Sequence, residues 1–267
     1  MNNRVRLTIE AGVAHVRLDR PDKMNALDPL MFEAIIGAGE ALRARRDIRA
    51  VVLSGEGRAF CAGLDIERLL ATADGESLLP SIDLTQRSHG IANYAQHLVW
   101  LWRELPVPVI AAVHGVALGG GLQLALGADL RYIAPGTRLA VIEAKWGLVP
   151  DMGGTQLMRH LAREDIVREL TYTGRMFSAE QALAYGFATD LADDPVATAL
   201  SIAREIAGRS PDAVRAAKRL LNLAATCAVA TGLAAETAEQ AALLGTANHI
   251  EAVRSNLDNR TPKWSFA

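Results

Sequence analysis

The feature that most limits how this chain can fold is Leu118-Gly119-Gly120-Gly121-Leu122-Gln123-Leu124-Ala125-Leu126-Gly127-Ala128-Asp129, which closely follows the strand-like run Pro108-Val109-Ile110-Ala111-Ala112-Val113. The order reads as strand, glycine turn, helix. Leu122, Leu124, Ala125 and Leu126 make the helix apolar on nearly every face, which places it inside the protein. Its first N–H groups have no acceptor within the helix, and the helix dipole adds positive potential at the same end. Glycines let another molecule approach that backbone closely. The turn is therefore a candidate anion or oxyanion site, although three glycines can equally serve only to turn tightly and pack a helix.

A second junction of the same kind follows the strand-like Ala50-Val51-Val52-Leu53-Ser54-Gly55: Gly57-Arg58-Ala59-Phe60-Cys61-Ala62-Gly63-Leu64-Asp65-Ile66. Two such junctions can aim two backbone donors at one atom. Together with Arg20-Pro21-Asp22-Lys23-Met24-Asn25-Ala26-Leu27 and Gly147-Leu148-Val149-Pro150-Asp151-Met152-Gly153-Gly154-Thr155, these motifs resemble the crotonase family, also called the enoyl-CoA hydratase/isomerase family, from about residue 5 to about residue 225.

Bulk properties narrow the partners. Half of the 267 residues are hydrophobic, enough for a sizeable core. A formal charge of −2 and a pI near 6.3 leave no electrostatic footprint for nucleic acid or an anionic membrane, so the expected partner is a small molecule. Cys61 and Cys227 are too few and too far apart for a disulfide framework or metal cluster, which suits a reduced, cytoplasmic protein. No run approaches a membrane span and no apolar signal segment opens the chain, so the sequence predicts no export. The glycines do not fit a dinucleotide fingerprint and the histidines lack ligand spacing, so no metal or cofactor is expected.

The chain opens on an alternating hairpin, residues 4–10 and 13–18, with His15 expected to face solvent. Asp28-Pro29 caps a helix to about Arg46, and residues 50–54 read as a strand buried on both faces. Residues 71–84 lack periodicity and read as a mobile loop beside the acyl pocket. A helix is predicted over 85–104; Trp100 and Trp102 cannot both face inward on it, and either core packing or an acyl tunnel is open to each. Residues 130–134 read as a strand, three helices follow over 155–162, 165–173 and from Ser178, and residues 186–191 read as a last short strand. Helices over 195–208, 211–225, 228–245 and 247–258 complete the chain, with small apolar residues suited to tight packing. Cys61, with no base nearby in sequence, reads as a buried filler rather than a nucleophile.

Between these lie Glu143 and Asp151, eight positions apart in an otherwise apolar, glycine- and proline-bearing segment. Carboxylates in such surroundings acquire raised pKa values and can act as acid or base near neutral pH. The competing readings are Asp151 as a cap before Gly153-Gly154 and Glu143 paired with Lys145 or Arg138.

The resemblance adds expectations of its own. It implies an α/β fold, a crotonase-like spiral of repeated strand-strand-helix units, with residues 1–194 as the core and acyl-CoA site and 195–267 as a helical region for trimerisation and completion of the CoA pocket. It implies backbone donors from Leu64 and Gly120 as the oxyanion hole, and CoA contacts from Lys23, Met24, Ala26, Ala62, Asp65 and Ile66, with Lys218 or Arg219 as further phosphate contacts. CoA is then part of the substrate rather than a cofactor, and the assembly a homotrimer or homohexamer. The family's hydratases use two glutamates; here Gln123 stands at the first position and Glu143 at the second. Gln123 cannot ionise and could only hold water or substrate. A single glutamate with Asp151 nearby matches the isomerases better, so the expected activity is double-bond isomerisation through an enolate, with Glu143, Asp151 and Gln123 as the catalytic candidates. The alternatives are hydration of a trans-2-enoyl-CoA and a non-catalytic acyl-CoA binding protein.

Overall fold

The computed structural model describes residues 3–265 except 78, 80 and 81. Strands β1 (Val5–Glu10) and β2 (Val13–Leu18) form an antiparallel hairpin, and a 3-10 turn at Pro21–Lys23 leads to α1 (Pro29–Arg43). Asp28 caps α1 by accepting from Met31 N–H, and Pro29 takes the first helical position, where its missing N–H costs nothing. Next come β3 (Ala50–Gly55), α2 (Ile66–Ala73), α3 (Tyr94–Glu104), β4 (Val109–Val113), β5 (Val116–Leu118) and α4 (Gly120–Leu126). They are followed by β6 (Leu130–Ile133), β7 (Arg138–Ala140), a 3-10 turn at Glu143–Trp146, α5 (Gly154–Met158), α6 (Glu164–Thr173), β8 (Phe177–Ser178), α7 (Ala179–Tyr185) and β9 (Asp190–Leu191). Four helices close the chain: α8 (Pro195–Ala207), α9 (Pro211–Ala224), α10 (Val229–Leu243) and α11 (Ala247–Leu257).

One six-stranded sheet runs β1-β2-β3-β4-β6-β9, parallel from β2 onward. Its alternate residues feed two cores. Val51, Leu53, Val109, Ala111 and Val113 join α1, α3 and α4 on one face, while Ala50, Val52, Ile110 and Ala112 meet Ala199, Ala203 and Ala207 of α8 on the other. Burial on both faces explains why β3 and β4 read as unbroken apolar runs. Each large side chain so enclosed contributes about 1.5–3 kcal/mol relative to exposure. α8, though beyond residue 194, is thus a layer of the core.

A smaller sheet, β5-β7-β8, stands beside the first. Its reach is extended by single bridges, Cys61 to Ala117 and Leu27 to Leu64, both parallel. Segments 25–27, 61–64 and β5 therefore run side by side in one direction and end at one edge. Clefts outside the carboxyl ends of parallel strands are where α/β folds bind ligands.

Several expected boundaries shift. The helix predicted from residue 85 begins at Tyr94, because Asn93 accepts from Gln96 N–H in a capping box and also donates to Leu84 O. Residues 71–73 of the expected loop finish α2, and residues 78, 80 and 81 of it lie outside the described residues. The helix expected over 155–162 ends at Met158, and α1 ends at Arg43. His15 does not face open solvent: it is half-buried on the sheet face that α8 covers, shares a 2.8 Å hydrogen bond with Ser54 Oγ, and burial pushes its pKa down to about 4. Trp102 is fully buried and Trp100 half-buried, and neither lines the cleft described below.

Lys218 ties α9 to this core. Its Nζ donates to Trp102 O (3.2 Å), Val107 O (2.8 Å) and Asp129 Oδ2 (2.8 Å), and burial lowers its pKa against the pull of Asp129. With all three protons used inside its own chain, Lys218 is no phosphate contact, contrary to expectation; Arg219, the other residue named with it, is paired with Glu239 through two 2.6 Å bonds. Lys218→Met removes the cation from Asp129, which keeps the Val109 N–H (2.8 Å), and should lower the unfolding free energy by about 1.5–3 kcal/mol. Urea titration should show the lowered midpoint, while affinity for a CoA ester stays unchanged.

Candidate active site

All of Lys23, Met24, Ala26, Ala62, Leu64, Asp65, Ile66, Gly120, Gln123, Glu143 and Asp151 line one cavity of about 690 Å³ at the shared strand edge. The two glycine junctions form its floor. Gly63 adopts φ +86, and a Cβ there would lie 2.5 Å from Leu118 O and 3.7 Å from Gly120 N, so the turns are in contact and admit no side chain between them. Gly119, at φ 51 and ψ −121, turns the chain from β5 into α4; a Cβ on it would sit 3.3 Å from Glu143 Oε1.

Alternation along the segments decides which amides face the cavity. Leu27 N–H donates to Gly63 O (2.8 Å) and Asp65 N–H to Leu27 O (3.1 Å), which leaves the N–H of Leu64 between them without an acceptor among the described residues. Gly119 N–H donates to Ala140 O (2.9 Å), and the next N–H, that of Gly120, opens α4 and also has none. Two unpaired main-chain donors on abutting turns in one cavity wall suit an oxygen carrying negative charge.

Glu143 stands against Gly119. Its Oε1 accepts from Gln123 Nε2 at 2.6 Å, while Oε2 is buried with no partner among the described residues. Burial pushes this carboxyl above the ordinary carboxylate range; the Gln123 donor opposes the shift and the charge of Asp151 adds to it. Glu143 therefore pairs with neither Lys145 nor Arg138; Lys145 Nζ lies 5.9 Å over the Trp146 ring. Asp151 opens onto the cleft, yet the crowding walls raise its pKa also. It is not a cap, since α5 begins after Gly153 with no side-chain cap. Gln123 does not hold water in this arrangement, because Oε1 accepts from Met152 N–H (3.0 Å) and Gly154 N–H (2.9 Å) while Nε2 is given to Glu143.

The outer wall is held by residues the sequence did not single out. Arg20, buried, donates to Ala26 O and to Asp65; against the cost of its burial, Arg20 and the Glu67 N–H hold Asp65 below the usual carboxylate range. The Asp65 side chain thus caps α2 and pins the loop, and only its backbone and outer edge remain for a ligand. Met24 and Asn25 both adopt left-handed φ angles, 50° and 56°. Asn25 keeps them there, accepting from Arg20 N–H (2.8 Å) and donating to Glu56 O (3.0 Å) and Ala59 O (2.8 Å). Lys23 at the rim is bonded to Glu67 at 2.7 Å. An Asn followed by alanine in a loop between strand and helix carries only a local turn signal; its two long-range bonds, to Glu56 and Ala59, leave none.

Ile66, Leu69, Leu84, Trp146, Leu148 and Val149 make the remaining walls apolar, with Ile66 62% and Val149 70% exposed. Among the described residues no cluster of His, Cys, Asp or Glu is placed to hold a metal, and no helix is long and apolar enough to cross a membrane.

Comparison with known proteins places this geometry in context. The family described as Enoyl-CoA hydratase/isomerase matches residues 8–266. The chain is 29% identical to the mitochondrial methylglutaconyl-CoA hydratase of Mus musculus over 260 residues, covering 95% of this chain and 79% of that protein. It is 31% identical to the mitochondrial Delta(3,5)-Delta(2,4)-dienoyl-CoA isomerase of Homo sapiens over 262 residues, covering 94% and 78%. Superposition on the crystal structure of an enoyl-CoA hydratase from Bacillus anthracis gives a TM-score of 0.87 at 28% identity, covering 99% of this chain and all of the other.

Cys61 directly precedes the cavity-lining Ala62 but is itself fully buried, and burial pushes its thiol up to about 12. A thiol reagent should modify only Cys227, which is half-buried, in the native protein; Cys61 should react only after unfolding.

Proposed function

The chain belongs to the enoyl-CoA hydratase/isomerase family, and we propose that within it this protein moves a double bond along the acyl chain of a CoA thioester. The observation that carries the reading is that the partner of Glu143 is an amide rather than a second carboxyl. In the two-glutamate arrangement that the family's hydratases use, one carboxyl takes a proton from water and the other delivers one to carbon, and Gln123 at the first of those positions can do neither. Shifting a double bond needs one proton removed and one returned, which Glu143 alone, or Glu143 with Asp151, can perform.

In this proposal the thioester carbonyl oxygen lies against the N–H groups of Leu64 and Gly120. Glu143 takes a proton from the carbon beside the carbonyl, and the electron pair moves into the thioester to give an enolate. Two preorganised donors stabilise that charge, and each typically contributes about 2.7–4 kcal/mol to the transition state. Return of a proton to the carbon two positions further along restores the carbonyl and leaves the double bond shifted, with no cofactor or redox step. Met24, Ala26, Ala62 and Ile66 would flank the CoA moiety, and Lys23 would exchange Glu67 for a phosphate oxygen. The apolar walls suit an acyl chain, whose remote binding energy positions the reacting carbons.

We propose further that the working form is a homotrimer or homohexamer. α10 buries no residue within the chain, and Leu233, Leu244, Val253 and Leu257 on α10, α11 and the turn between them are each 47–77% exposed.

A panel of enoyl-CoA and dienoyl-CoA esters, scored by product mass and ultraviolet spectrum, tests the reaction: bond migration conserves mass and hydration does not. Glu143→Gln should lower isomerisation by about 10²–10⁴-fold; unchanged turnover would remove Glu143 from its role. Because the base form of a carboxyl with a raised pKa is lost on acidification, kcat should fall as pH drops through a value above the ordinary glutamate range. Light scattering on the purified chain checks the oligomer.

A further inference from the structure

The bonds around Gln123 determine more than its own conformation. The amide oxygen and nitrogen of a glutamine look alike in shape, and only the surroundings assign them. Here they leave no choice: the main-chain N–H groups of Met152 and Gly154 can only donate, so Oε1 must face them and Nε2 must face Glu143. The nitrogen in turn takes Glu143 Oε1, and the other carboxyl oxygen is left without a partner among the described residues. We infer that Gln123 is a positioning residue: it fixes the rotation of the Glu143 carboxyl and reserves Oε2 as the oxygen that exchanges a proton.

The same side chain acts on the second carboxyl. Met152 follows Asp151 directly and Gly154 lies three positions on, so the two bonds to Gln123 Oε1 hold the turn that carries Asp151 against α4. One uncharged side chain thereby orients both acidic groups of the cleft. A carboxylate here would also accept from the two N–H groups, but would turn an oxygen instead of a donor toward Glu143, and two carboxyl oxygens at that separation must share a proton. Asp151 is the charged group that bears on Glu143 among the described residues; Lys145, on the same turn, is directed to Trp146.

The inference rests on Glu143 as the acid–base group of the proposed reaction, and its deciding test, the carboxyl titration, is therefore made without substrate. In the full chain labelled with ¹³C at glutamate carboxyls, the Glu143 resonance is identified by its absence in Glu143→Gln and titrated. Removing a donor that favours the charged form raises the pKa, so Gln123→Leu should move the midpoint up by about one pH unit. With a competent isomerase substrate, kcat should fall about tenfold or more while KM changes less than about twofold, and the acid limb of the rate profile should move with the midpoint. Should Gln123→Leu not fold, Gln123→Glu retains the acceptor for Met152 and Gly154 and decides the matter. It should titrate in two coupled steps, the upper one displaced further upward than in Gln123→Leu. A Glu143 midpoint in Gln123→Glu equal to the native one overturns the inference. Full isomerisation by Glu143→Gln removes the reaction instead, and leaves the carboxyl titration to report on the orientation alone.

Discussion

Everything in the cleft depends on a short ladder between two non-adjacent parts of the chain. Cys61 N–H donates to Val116 O (3.1 Å) and Leu118 N–H to Cys61 O (3.1 Å), so the chain after β3 and the chain after β4 run parallel and stop together. In a parallel pair, donors and acceptors alternate along each segment, so the amides left over at the common end project the same way. Without this registration the Leu64 and Gly120 amides would belong to separate turns. With it, the carbonyl of Leu118 closes over Gly63 so tightly that no Cβ fits. The mouth of the site is assembled from main chain, which tolerates exchange of the neighbouring side chains.

The acidic group beside it stands in tension with folding. Burial raises the Glu143 pKa in the folded chain, so the fold favours the protonated group. For such a carboxyl the stabilising contribution is complete below the unfolded pKa and is lost as pH rises through the interval to the raised folded value. The form able to take a proton is thus the form the surroundings disfavour, which is common where a fold keeps a reactive group poised. The Gln123 donor limits that cost without supplying a full charge.

Much of the frame was legible in the amino-acid order. Strand, glycines and an all-apolar helix at 108–129 announced a buried turn with free amides, and Pro195, Pro211, Gly208 and Gly245 bounded the last helices almost to the residue. The strands β5, β7 and β8 were not seen, because segments of two or three residues show no period. α3 starts later than the apolar spacing predicts because Gly90 turns left-handed (φ 63) and the Asn93 capping box sets the first turn, a local competition that residue spacing does not weigh. The least visible features were the long-range polar contacts. Asn25, Arg20 and Gln123 each look unremarkable in their own stretch, and their roles come from partners 20 to 45 positions away.

Burial of Glu143 Oε2 has one more consequence. Less than 1 Å² of that atom is open, although Glu143 itself lines the cavity, so the oxygen meets little bulk water. Under the proposed reaction, a hydrogen nucleus lifted from carbon onto this oxygen would be slower to exchange with solvent than one on the open Asp151. The isotopic composition of the product after turnover in heavy water would then carry a memory of which acid closed the cycle.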